Sequence, residues 1–125
     1  MASKITLMNA VFDQFTSFVT ELIQMYPDDP DFSMFLTSIK LLRSTNPSLV
    51  IKYIYENTQQ FDQQILSKDE KFFLDYSFSE YSSDVDLNIF SKLKQYITTM
   101  SPVTKENVWK YIQNIYRLSK AISTL

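Results

Sequence analysis

Apolar residues return at steps of three and four along the amino-terminal stretch, and that period constrains the fold more than any other feature. From Lys4 to about Tyr26 they fall at Ile5, Met8, Val11, Phe12, Phe15, Phe18, Val19, Leu22, Ile23 and Tyr26, with Asn9, Asp13, Thr16, Thr20 and Gln24 opposite. A helix turns once in about 3.6 residues, so this spacing stacks the apolar side chains on one face and predicts an amphipathic helix. Pro27 ends it, because the residue before a proline is pushed out of the helical region.

The same logic carries down the chain. In Pro27-Asp28-Asp29-Pro30-Asp31, Asp29 suits an N-cap, Pro30 the first helical position, and Asp31 the positive end of the helix dipole. Phe32, Phe35, Leu36, Ile39 and Leu42 then share one face until about Ser44. Asn46-Pro47 repeats the device for a short helix with Leu49, Val50, Tyr53 and Ile54 inward, ending near Asn57. Between Thr58 and Leu74 the pattern allows two pieces of one or two turns, the second capped by Ser67 or Asp69. The stretch from Asp75 to Asp86 lacks helical spacing and reads as an acidic, aromatic loop. Asp84 or Asp86 then caps a helix bearing Leu87, Phe90, Leu93, Ile97 and Met100. Ser101-Pro102, with Thr104 an alternative cap, opens a last helix with Val108, Trp109, Ile112, Ile115, Tyr116, Ser119 and Ile122 inward. The expectation is an all-α, compact single-domain bundle over residues 1–125, with five to six helices and the acidic aromatic loop before the last two.

Composition narrows the chemistry. Histidine, cysteine and glycine are all absent. Their absence removes the commonest general base, thiolate nucleophiles and metal sites, and the glycine-rich phosphate loops. Carboxylates, lysines, hydroxyls and tyrosines are left, so no enzyme, no resident metal or cofactor and no small-molecule substrate is expected. No apolar run reaches the roughly 20 residues of a bilayer span, and the Ile5–Met25 stretch is broken by polar residues. No cleavage site follows Lys4, so a signal peptide is not expected and the anticipated location is intracellular. The ten lysines against two arginines, with eleven isoleucines against three alanines, reflect AT-rich coding and carry no functional signal.

Three stretches, YPDDPDFSMFLTSIKLLRSTNPSLVIKYI, QILSKDEKFFLDYSF and MSPVTKENVWKYIQNIYRLSKAI, together resemble small proteins encoded by large nucleocytoplasmic DNA viruses of algae and protists. The resemblance spans Phe12 to Ile122. It implies a viral source, with a host cytoplasm, nucleus or virion setting, and it brings no activity and no catalytic residues.

The acids Asp28, Asp29 and Asp31 lack the ligand spacing, turn glycine and distal glutamate of a calcium loop, and capping accounts for them. Asp69, Glu70 and Asp75 around KFFLDY read as solvated acids and not as a catalytic pair. Tyr76, Phe78 and Tyr81, set among serines and acids, are candidate protein-binding residues, because such rings offer large apolar area with few rotamers to freeze. Loop-to-bundle pinning is the alternative for them. Residues 62–86 hold seven acids against two lysines, whereas residues 87–125 hold six bases against one acid. On the last helix Lys110, Arg117 and Lys120 fall near one face, with Tyr96 and Tyr111 in the neighbouring sequence, and form a candidate nucleic-acid-binding set. Alternatively, the acidic stretch packs beside the basic helices. The leading expectation is a non-enzymatic interaction or structural protein whose partner is viral, host or a second copy of itself. An accessory nucleic-acid binder is the alternative.

Overall fold

The computed structural model describes residues 3–75 and 89–125. Helix α1 (Lys4–Met25) starts where the Ser3 hydroxyl accepts the Thr6 amide at 3.1 Å. Helices α2 (Pro30–Thr45), α3 (Pro47–Thr58) and α7 (Pro102–Ser123) each place proline in the first turn, where a missing amide hydrogen costs nothing. Asp29, Asn46 and Ser101 cap them by accepting from Asp31, Leu49 and Thr104 at 3.0, 3.3 and 3.2 Å. Thr104 is therefore not the cap of α7.

A 3₁₀ turn (Gln59–Phe61) leads into α4 (Asp62–Leu66), and α5 (Glu70–Asp75) follows. Asp69 caps α5 through the Phe72 amide at 3.0 Å. Between them Lys68 takes φ 57°, a left-handed conformation that a side chain resists. Its amide bonds to Ile65 and that of Asp69 to Gln64, closing the end of α4. Helix α6 (Ile89–Ile97) completes the set. The chain is all-α, as its pattern predicts, and no strand occurs among the described residues. The described helices number seven because the 58–75 region supplies two very short ones, a finer division than the expected five or six. The Asp75–Asp86 loop beyond Asp75, the Asp84 or Asp86 cap and Leu87 lie outside the described residues.

The core is one cluster. Val11, Phe12, Phe15, Phe18, Val19 and Leu22 from α1 join Phe32, Phe35 and Ile39 from α2 and Val50, Ile51 and Ile54 from α3. Leu93 and Ile97 come from α6, and Val108, Trp109, Ile112, Ile115, Tyr116 and Ile122 from α7. Helices α1 and α7 run antiparallel, since Tyr111 bonds to Glu21 and Asn114 to Gln14. Helix α2 turns back along α1, where Arg43 pairs with Asp13 at 3.0 Å and lies over the Phe12 ring at 5.5 Å. The inward residues of α1, α2, α3 and α7 are buried or, like Met8, Ile23, Leu36 and Leu42, partly buried against the core. Ile5 and Leu49 are the exceptions, with Ile5 72% exposed, because a periodic stripe marks a face but does not supply the neighbour that covers it. Among the described residues no helix is long and apolar enough to cross a membrane.

Candidate protein-binding cleft

Helix α6 meets the α1–α2 turn through side chains that the sequence separates by more than sixty positions. Lys92 and Tyr96 stand one turn apart and so project from the same side of α6. The two carboxylate oxygens of Asp29 divide their work. Oδ1 caps α2, while Oδ2 accepts the Lys92 ammonium at 2.9 Å and also the Tyr96 hydroxyl. Lys92 reaches Asp31 as well, at 2.8 Å. Capping alone thus does not account for the acidic cluster. Asp29 and Asp31 are also the counter-charges of a lysine on a distant helix.

Aromatic rings close the same corner. Tyr26 and Tyr96 stack with centroids 4.0 Å apart at 27°, and Phe32 lies 5.7 Å from Tyr96. Lys92 sits 5.9 Å from the Tyr96 ring centre. The Asp29 and Lys92 side chains are only 10% and 19% exposed, whereas Asp31 is 47% exposed, so the cluster is partly shielded from bulk water. The hydrogen bond from Lys92, then that from Tyr96, holds the Asp29 carboxyl below the usual carboxylate range. Reciprocally, Asp29 and then Asp31 hold the Lys92 ammonium above its ordinary value. The Asp29 hydrogen bond pushes the Tyr96 hydroxyl up, and burial does the same to Tyr26.

Outside this locked corner lies an open cleft of about 570 Å³, lined by Met25, Tyr26, Pro27, Asp28 and Pro30 along with the locked groups. Met25 is exposed at its edge, and Asp28 is exposed with no ion pair among the described residues. Among the described residues no group of three or more acids is arranged to hold a metal ion.

Of the residues singled out from sequence, Tyr76, Phe78 and Tyr81 lie outside the described residues. Lys110 and Arg117 are exposed on α7, and Arg117 borders a groove of about 480 Å³ with Ala10, Asp13, Gln14, Asn114 and Leu118. Lys120 is not part of an open basic face, because it pairs with Asp62 at 3.3 Å. Nor are the nearby tyrosines open to bases. Tyr111 stacks on Phe18 at 5.2 Å and donates to Glu21, and Tyr96 is held in the α6 corner. The acids Asp69 and Glu70 serve as the α5 cap and as the partner of Lys105 at 2.9 Å. Sequence reasoning missed Lys92, and it assigned Tyr96 to the wrong setting. The signal present was the i, i+4 pair Lys92/Tyr96 beside the inward pair Leu93/Ile97, although nothing local names Asp29 as the target. No family model matches the chain, and no curated protein or solved structure matches it either.

Proposed function

We propose that this chain is a non-enzymatic helical interaction protein that contacts a protein partner at the cleft between the α1–α2 turn and α6. One observation carries the reading: a rigid, stacked tyrosine pair and an exposed Met25 adjoin the unpaired carboxylate of Asp28. Aromatic rings already held in place lose little freedom on contact, and methionine adapts to an irregular partner surface. The acid at the rim favours a partner segment that carries a base beside an apolar anchor. Resemblance to small proteins of large DNA viruses frames that partner as a viral or host protein, or a second copy of this chain.

The test is affinity capture from expressing or infected cells with the natural chain and with a Met25→Gln, Asp28→Arg variant. Both substituted side chains are exposed, so circular dichroism is expected to stay unchanged. A protein retained by the natural chain and lost from the variant is the expected outcome. Identical captured proteins would move the surface elsewhere, and no specific capture with either form would overturn the reading. Solution molar mass covers self-association: a strictly monomeric chain at every concentration removes the second copy as partner.

A further inference from the structure

The segment from Asp62 to Asp75 lies along α7 as a strap, and two of its acids meet two of α7's bases. Asp62 takes Lys120 and the Tyr116 hydroxyl, while Glu70 takes Lys105. In return Lys68 pairs with Glu106, which sets the register. Apolar and polar anchors seat the strap independently of those charges. Ile65 and Phe73 are buried, Phe73 meets Trp109 edge-on at 6.0 Å, and the buried Gln113 amide donates to the Ile65 and Leu66 carbonyls at 3.1 and 3.2 Å.

Helix α7 carries four bases and one acid. Lys105 and Lys120 are tied by the strap, whereas Lys110 and Arg117 stand exposed and without ion pairs among the described residues. At 1.5 Å per residue the four bases extend over about 22 Å of helix. The Glu70–Lys105 pair is half-buried, at 35% and 29% exposure with the Glu70 Oε1 itself buried, whereas Asp62 and Lys120 pair at the surface, 36% and 50% exposed. An exposed pair like Asp62–Lys120 is weak in water, and a lysine's long stem can swing to another anion nearby; Lys105 gives up its buried partner oxygen less readily. Exchange therefore requires no unseating of Ile65 or Phe73.

We infer that this flank of α7 is a contact surface for the phosphate backbone of single-stranded nucleic acid, and that Asp62 and Glu70 are its built-in competitors. Lys110 and Arg117 make the first contacts. Lys105 and Lys120 join only by giving up a carboxylate of the strap, which dampens affinity while the fold stays intact. Among the described residues near this flank Tyr111 is stacked on Phe18 and Tyr116 is buried, which favours backbone contact over base stacking as the mode. This surface is distinct from the α6 cleft, so either assignment stands or falls without the other.

The probe is a fluorescein-labelled oligodeoxythymidine of about 20 nucleotides, followed by anisotropy across a salt series. The natural chain is expected to bind weakly and with salt dependence. The Asp62→Asn, Glu70→Gln double variant is expected to bind about tenfold tighter at low salt, its log K against log salt steeper by about 1.4, as two added contacts to a single strand require. Asp62→Asn and Glu70→Gln singly, each leaving the other pair in place, are expected to steepen it by about 0.7. They carry the test if the double variant does not fold. Glu56→Gln is the matched control, because it removes the same charge and frees Lys52 on α3. It is expected to change nothing. Lys110→Gln with Arg117→Gln is expected to abolish binding in every background. Undetectable binding by all forms, equal gains from Glu56→Gln and Glu70→Gln, strap variants no tighter than the natural chain, or binding that survives loss of Lys110 and Arg117 would each overturn the inference.

Discussion

The seam between α1 and α7 and the corner where α6 meets the α1–α2 turn are made of different materials. Along the seam, two long helices press apolar stripes into one core, and their polar contacts, such as Asn114 to Gln14, lie at the margin. At the corner, Leu93 and Ile97 are buried, but position depends on Lys92, Asp29, Asp31 and a tyrosine stack. Hydrophobic burial is non-directional and scales with area, so the seam tolerates small shifts. An ion pair with a shared hydroxyl fixes distance and angle, so the corner specifies orientation and depends on protonation. A short helix such as α6 presents little apolar area, and directional contacts make up the difference.

The largest effect is expected at the seam. Phe18→Ala removes a side chain that is 2% exposed and stacks on Tyr111 of α7, and should destabilise the chain by roughly 3–5 kcal/mol in urea unfolding. A loss under about 1 kcal/mol would show that the seam closes over the cavity and is softer than its packing implies. Next comes Lys92→Met, which removes the counter-charge that Asp29 and Asp31 share. About 1 kcal/mol of global stability is expected to go, because the pair is only partly shielded. Amide exchange should quicken within α6 while the α1 and α7 amides keep their protection. Uniform acceleration across all three helices would erase the distinction between seam and corner.

The smallest effect is a matter of pH. Asp29 and Asp62 both have carboxyl values lowered in the folded chain, the first by Lys92 and then Tyr96, the second chiefly by the Tyr116 hydroxyl. A lowered carboxyl stabilises the fold fully above its unfolded value, near pH 4, and that stability is lost as pH falls through the folded value. Asp29→Asn should therefore flatten the loss of stability below about pH 4, with little change in the slope between pH 5 and 8. An unchanged acid slope in the variant would mean that Asp29 titrates alike in both states and that the corner is not electrostatically coupled.

The same contrast explains what the sequence made legible. Helix positions, the proline-led starts and the inward faces of α1, α2 and α7 follow from local rules, since period, capping and proline chemistry act within a few residues. Long-range pairing does not. That Asp29 serves a lysine on α6 as well as its own helix, or that Gln113 is buried to satisfy carbonyls at the end of α4, depends on what the folded chain brings opposite. Ile5 shows the converse, a residue in phase with the buried stripe and yet uncovered. For the candidate sites, the charge imbalance between residues 62–86 and 87–125 admitted acids packing beside the basic helices, which among the described residues holds for Asp62 and Glu70. It could not say that Lys120 is taken by Asp62 while Arg117 is left open.

The antiparallel seam joins side chains as far apart as Gln14 and Asn114, one hundred positions along the chain. During synthesis, then, the apolar face of α1 leaves the ribosome long before α7 exists to cover it. At about 5–20 residues per second the delay is on the order of 5–20 s. Over that interval Phe12, Phe15, Val19 and Leu22 rely on α2 and α3 for shelter, and the bundle locks only when its last helix arrives.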